Sequence, residues 1–389
     1  MVSERRLPNA IRRIHGQGFV DYTITRRLPK ILADIEAQIA ASGKLATAQA
    51  MLRSLTTGSL IDTEIFACPT AYWEAYLHQL NGLTWNDLSF FDVEFLFYHG
   101  VNSIAGYFDR GVDVFQQTRQ AALIEALPAV ASGLVKISEL TGIDLLHAVI
   151  RCALFANEAD YSQLMTSRSD SQLWSDRILI DEANALIAGL QQITDQATAI
   201  HLIADNAGHE LCWDLVMIDA MLELFPSLTV FIHVKPWPMF VSDALPMDIQ
   251  ATLDSFINSQ SQSSEAMALV GTRLQNAIKY GRLQIQNEKD WGEPRHFDAL
   301  DSNLATTLGN AIAVISKGDL NYRRFVRDRQ WPLETPVTTA TAGVPFLAFA
   351  LRVLKSDAIV GVTPAIARQA KAVMEDWRTC GHFAVIQRV

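Results

Sequence analysis

A chain of 389 residues suggests two closely packed domains, and 49% hydrophobic against 19% charged residues gives a globular protein with ample core material. A formal net charge of -10 argues against a general nucleic-acid binder, because phosphate contacts need a basic surface. The four cysteines, Cys68, Cys152, Cys212 and Cys380, form no CxxC pair, so neither a zinc site nor a disulfide framework is indicated.

After the basic amino terminus, Arg12, Arg13 and His15 break up any apolar stretch, so the pattern of a secretory signal is missing. No uninterrupted apolar run approaches the roughly 18 to 20 residues that span a bilayer, and the expectation is a soluble, cytoplasmic protein without a membrane partner. From Tyr22 to about Leu190 apolar residues recur three and four apart, as over residues 28–39, 91–108 and 123–140, which predicts helices. Beyond Leu190 the texture changes. Short β-rich runs at 199–204, 229–234, 311–315 and 358–362 alternate with helix-like stretches at 210–224, 264–280 and 344–354. Such alternation predicts a parallel sheet covered by helices. The reading is therefore a helical domain over 1–190 and an α/β domain over 191–389, with the seam near 185–195. The Ser/Gln-rich stretch 258–264 reads as a surface connection.

Three of the strand-like runs end in polar residues. Asp205 and Asn206 follow the first and precede a helix, the place where doubly wound sheets bind ligands and helix N-termini favour anions. A carboxylate and an amide oxygen are hard donors suited to Mg²⁺ or Mn²⁺, and Asp243 in Val241-Ser242-Asp243 could add a third. The structural alternative is that Asp205 and Asn206 cap the helix. Glu210 either orients a ligand or water, or simply complements the positive end of that helix. Lys317-Gly318-Asp319-Leu320-Asn321-Tyr322-Arg323 offers a cation, a flexible glycine and an Asp/Asn/Arg trio suited to gripping a phosphorylated, hydroxyl-rich ligand. Arg352 and Lys355 would share one side of a helix end, where cations are electrostatically routine. His201, His209 and His233 lie near these runs without HxH or HExxH spacing and read as core or supporting residues. Walker A, Gly-x-Gly-x-x-Gly and Gly-x-Ser-x-Gly patterns are missing.

In this order the blocks resemble the damage-control phosphatases of the DUF89 type, specifically the subgroup related to acidic residue methyltransferase 1. Asp205-Asn206-Ala207-Gly208-His209-Glu210 is similar to that family's Asp-Asn-Ala-Gly-x-Glu signature. Val234-Lys235 with Val241-Ser242-Asp243 resembles its next block, and Lys317 to Arg323 its Lys-Gly-Asp-Leu-Asn-Tyr-Arg block. Tyr22-Thr23-Ile24-Thr25-Arg26-Arg27-Leu28-Pro29 resembles the entry helix, and Leu154-Phe155-Ala156-Asn157 a Leu-Trp-Gly-Asn segment.

The resemblance implies a helical N-terminal domain joined to a three-layer α/β/α sandwich with a mostly parallel, Rossmann-like sheet. It implies that Asp205, Asn206 and Asp243 hold a divalent ion (Mn²⁺, Mg²⁺, Co²⁺ or Ni²⁺) and act in catalysis. Asp319, Leu320, Asn321, Tyr322, Arg323 and Lys355 would contact substrate, with Glu210, Lys317 and Arg352 beside them. The implied activity is hydrolysis of small phosphomonoesters, sugar phosphates such as fructose 1-phosphate, in metabolite damage control. A carboxyl methyltransferase using S-adenosylmethionine and a sugar-phosphate-binding homologue with weakened catalysis are the alternatives. This chain departs from the pattern in three places. Arg352-Val353-Leu354-Lys355 replaces Arg-Thr-x-Lys, and Glu94-Phe95-Leu96-Phe97-Tyr98-His99-Gly100 replaces Glu-x-Tyr-x-Tyr-Arg-Arg. Phe155 and Ala156 replace a Trp-Gly pair.

Overall fold

The computed structural model describes residues 7–156, 176–192, 198–259 and 265–389. Asn157 of the Leu-Trp-Gly-Asn-like segment and residues 260–264 of the Ser/Gln stretch lie outside them. Seven strands form one sheet: β1 (Ile178–Asp181), β2 (Thr198–Ile203), β3 (Leu228–His233), β4 (Leu283–Gln286), β5 (Ala313–Lys317), β6 (Ala348–Val353) and β7 (Ala384–Arg388). Their order is β1-β7-β6-β5-β2-β3-β4. The run from β6 to β4 is parallel, while β7 is antiparallel to β6 and parallel to β1. All five residues of β5 are buried, as expected for a strand covered on both faces.

Side chains alternate along these strands and so feed two cores. Val314, Ala348, Ala350 and Val385 join the apolar residues of the first 115 positions, including helix α1 (Phe90–Ala105), which is buried along nearly its whole length. Ala313, Ile315, Phe349, Leu351 and Ile386 face the opposite layer with α2 (Gln116–Ile137), α3 (Gly142–Phe155) and α4 (His209–Leu224). The result is a three-layer α/β/α arrangement with a mostly parallel, Rossmann-like sheet. β1 lies before the seam expected at 185–195 and pairs with β7, the last strand, so the sheet draws on both sides of that seam.

By length and composition α2 could cross a bilayer. One face of it packs in the core, with Ala126, Val130 and Leu134 buried. Gly133 lets Trp213 of α4 lie against its backbone, since a Cβ there would stand 2.5 Å from the indole.

Two expectations are corrected. Residues 344–354 are predicted as helix-like but contain β6, because Phe346 to Leu351 is an unbroken apolar run whose periodicity does not separate a buried strand from a buried helix. Arg352 and Lys355 therefore follow one another at a strand end, not on a helix. Residues 358–362 are predicted as a strand but join no sheet; Val360 donates its N–H to the Tyr322 hydroxyl at 3.2 Å instead. The edge strands β1 and β4 and the terminal β7 were unforeseen, being only four or five residues long.

Candidate active site

Past the carboxyl end of β2, the chain is held by a short antiparallel bridge between Asn206 and Asp243. Ala244 donates its N–H to the Asp205 carbonyl at 2.9 Å and Ala207 donates to the Ser242 carbonyl at 2.7 Å. This backbone zipper brings two segments separated in sequence onto one wall. The amide of Asn206 is fixed on both sides: its nitrogen donates to Asp205 Oδ2 at 2.8 Å and to Glu210 Oε1 at 3.1 Å, and its oxygen accepts from Ser242 Oγ at 2.6 Å. That oxygen keeps a second lone pair.

Gly318 closes the floor where β5 turns into the short helix α5 (Asp319–Phe325). Its φ of 86° is a region that side chains rarely enter, and a Cβ would stand 2.0 Å from Asp205 Oδ2. The turn needs glycine because the carboxylate already fills the space.

Asp205, Asn206, Glu210, Ser242, Asp243, Lys317, Gly318, Asp319, Leu320, Arg323 and Lys355 line one cleft of about 970 Å³, open to solvent. Phe19, Arg27, Glu94 and Tyr98 from the N-terminal layer form the facing wall, and Phe240 and Val241 of the loop that carries Asp243 add apolar lining. Val353, which replaces the threonine of the Arg-Thr-x-Lys pattern, also faces the cleft. Three expected contacts do not line it. Asn321 is buried and donates to the Lys317 carbonyl at 2.9 Å, and Tyr322 donates to Gln387 Oε1 at 2.8 Å. Arg352 is fully buried, stacked 4.3 Å over the Tyr322 ring, with its Nε donating to Asp319 Oδ1 at 2.8 Å.

Electrostatics mark the Asp205 wall as short of positive charge. Burial raises the Asp205 carboxyl well above the ordinary range, Glu210 and Asp243 raise it further, and Lys235 and Lys355 offset only part. Burial also raises Asp243, against the pull of Lys235, whose ammonium is 3.9 Å away. Lys235 is itself buried, lowered by that burial, and its Nζ has no hydrogen-bond partner among the described residues. Two crowded carboxylates and an amide oxygen form a hard-donor set that fits a Mg²⁺- or Mn²⁺-like ion. Among the described residues no group of three His, Cys, Asp or Glu side chains gathers into a metal cage.

Of the other cleft charges, Lys317, Arg323 and Asp319 are paired. Lys317 donates to Asp214 Oδ1 at 2.6 Å and to the Ala153 carbonyl at 2.7 Å. Arg323 donates to Glu94 at 2.5 Å and to Asp328 at 2.7 and 3.1 Å. Burial pushes Asp319 up, but Arg352 and Arg323 outweigh it and hold the carboxyl below its usual value. None of His201, His209 and His233 lines the cleft; His201 and His233 share a hydrogen bond of 2.7 Å under the sheet's β4 side.

Several residues at or behind the cleft escape sequence reasoning. Asp214 sits one helical turn after Glu210 on α4, a spacing that could have flagged it. Arg27 lies inside the entry-helix block without any sign that it faces the site. Phe19, Glu94 and Tyr98 reach it only through docking of the helical layer.

Residues 5–369 match the family model described as the damage-control phosphatase ARMT1-like domain. The damage-control phosphatase ARMT1 of Xenopus laevis is 24% identical over 366 residues, covering 85% of this chain and 81% of that protein. That of Mus musculus is 26% identical over 301 residues, covering 71% and 68%. A solved DUF89 family protein from Pyrococcus horikoshii superposes with a TM-score of 0.45 at 14% identity, covering 94% of this chain and 98% of that one.

Proposed function

The chain belongs to the damage-control phosphatase ARMT1-like family, and we propose on that premise that its cleft hydrolyses small phosphorylated metabolites, sugar phosphates among them, with a divalent cation. The observation that carries this reading is the Asn206–Asp243 bridge, which sets two carboxylates and an amide on one wall beside Gly318.

Asp205, Asn206 and Asp243 would hold the ion, Mn²⁺, Mg²⁺, Co²⁺ or Ni²⁺. When bound, it supplies positive charge to a phosphoryl oxygen and to the charge that grows during transfer. Glu210 and Ser242 fix the rotation of the Asn206 amide, so the donor set is oriented before any ligand arrives. Lys355, exposed beside Asp205, faces the anionic end of an ester. Asp319, kept ionised by Arg352 and by donors from the Lys355 N–H and Ser356 Oγ, each at 3.1 Å, is suited to accept a hydroxyl of the substrate. Phosphomonoester hydrolysis asks chiefly for positioning and charge stabilisation, and this inventory supplies both.

Turnover of a sugar-phosphate panel with each of the four ions tests the proposal, with Asp205→Ala as control. The expected result is metal-dependent release of orthophosphate and a loss of at least about 100-fold in the variant. A folded Asp205→Ala protein that retains metal-dependent turnover would overturn the assignment.

A further inference from the structure

Lys317 is a cation of the cleft lining that is almost wholly removed from water, its side chain only 2% exposed. An ammonium has three hydrogens. Two of them are used, on Asp214 Oδ1 at 2.6 Å and on the Ala153 carbonyl at 2.7 Å, where α3 nears its carboxyl end. The third has no partner among the described residues, and the charge of Lys317 interacts with Glu210 and Asp205, both of the cleft.

Asp214 is the other half of this arrangement. Its side chain is fully buried on α4, and Oδ2 has no hydrogen-bond partner among the described residues. A carboxylate so placed is costly to bury and is not explained by folding alone, since a buried ion pair is often replaced by apolar residues without loss. Asp214 does not line the cleft, so it has no direct path to substrate. One turn back on the same helix face, Glu210 bonds the Asn206 amide. Helix α4 thus carries two acids four residues apart, one orienting the amide donor and the other gripping the cation across the cleft floor.

We propose that Asp214 is a positioning residue: it pins the Lys317 ammonium from behind, leaving one N–H aimed at the phosphoryl oxygens of the ester bound beside Asp205. The inference rests on the phosphatase reading above. Without the carboxylate, Lys317 would lose the anion that offsets its burial, and its position and charge would fail together.

A double-mutant cycle tests it, with Asp214→Asn, Lys317→Met and the double variant assayed for kcat and KM across pH, folding being followed by thermal melting. The expected result is a fall of about 100-fold in kcat/KM for Asp214→Asn in the wild-type background, with its alkaline limb moved to lower pH. In the Lys317→Met background the same change is expected to cost less than about threefold, because nothing is left to position. The double variant buries no unpaired charge, so it folds even where Asp214→Asn alone is too unstable to assay. Lys317→Met alone leaves the buried Asp214 carboxylate without its cation, so where either single variant is too unstable to assay Asp214→Glu carries the test: it keeps the charge pair but displaces the ammonium, and a kcat/KM equal to wild type in it overturns the inference. Asp214→Glu is expected to recover part of the loss. An equal cost of Asp214→Asn with and without Lys317, in an active wild type, overturns the inference alone. A wild-type chain inert toward every ester and ion overturns the phosphatase reading and this inference with it.

Discussion

Gly318 and the Asp205 carboxylate occupy one another's space: a methyl group on the glycine would lie 2.0 Å from Oδ2. The turn after β5 thereby holds the carboxylate in place, and the carboxylate in turn forbids a side chain. Gly318→Ala is expected to push Asp205 away from Asn206 and to strain a backbone whose φ is 86°. Mn²⁺ affinity measured by calorimetry is expected to fall at least about tenfold, with a loss of roughly 1 kcal/mol or more in stability from the backbone alone. Wild-type Mn²⁺ affinity in the variant would show that the close approach does not hold the carboxylate.

The crowding of Asp205 and Asp243 sets a pH dependence whose sign is fixed. Both carboxyls have folded-state pKa values raised above the ordinary 3.8, first by burial. The metal-free folded state therefore binds more protons than the unfolded chain in the window above 3.8. Stability from these protons is present below that window and is lost as pH rises through the raised values. A divalent ion takes the place of the protons, so its affinity is expected to climb with pH in the same window, by about tenfold per unit for each proton displaced. Calorimetry in buffers of different ionisation enthalpy measures that release. Thermal melting is expected to show metal stabilising the protein more at pH 7 than at pH 5, and an equal effect at both would contradict the crowding.

How much of this was legible beforehand follows from where each constraint sits. Asp205, Asn206, Asp243 and Gly318 were read in short blocks that follow strand-like runs, and these do meet at one cleft, whereas Lys355 was read at a helix end and reaches the cleft from beyond β6 instead. Lys317 and Arg323 were read as free phosphate cations, but their partners Asp214, Glu94 and Asp328 come from other elements and appear only on folding. Asn321 and Tyr322 turn into the core because a seven-residue helix shows only part of its circumference to the cleft, and Arg352 does so because alternate residues of β6 face opposite ways, Leu351 and Val353 toward the cleft and Arg352 away from it. β6 was hidden for a related reason: a strand buried on both faces loses the alternation that identifies strands. The helical layer's face toward the site was illegible because its residues are defined by docking against the sheet.

That docking leaves one cation of the facing wall without a counterpart. Arg27 ends a π-helical turn, Thr23–Arg27, set between helical segments Gly18–Tyr22 and Leu28–Asp34. Thr23, Ile24 and Leu28 are buried and anchor the turn, while Arg27 is exposed at the cleft. Arg323 answers to Glu94 and Asp328, and Lys317 to Asp214, but Arg27 has no hydrogen-bond or ion-pair partner among the described residues. Its charge acts on Glu94 and Tyr98, so it stands beside those two residues of the helical layer at the cleft. A guanidinium so placed can grip the distal oxygens of a small ester through paired N–H donors. Arg27→Ala is therefore expected to raise KM about tenfold with little change in kcat, since the contact lies away from the reacting phosphorus. Melting temperature is expected to stay within a degree or two of wild type, because an exposed, unpaired side chain contributes little to stability. A variant with unaltered KM across the sugar-phosphate panel would remove Arg27 from substrate binding, and one that lost kcat instead would place it nearer the reacting group than its wall position allows.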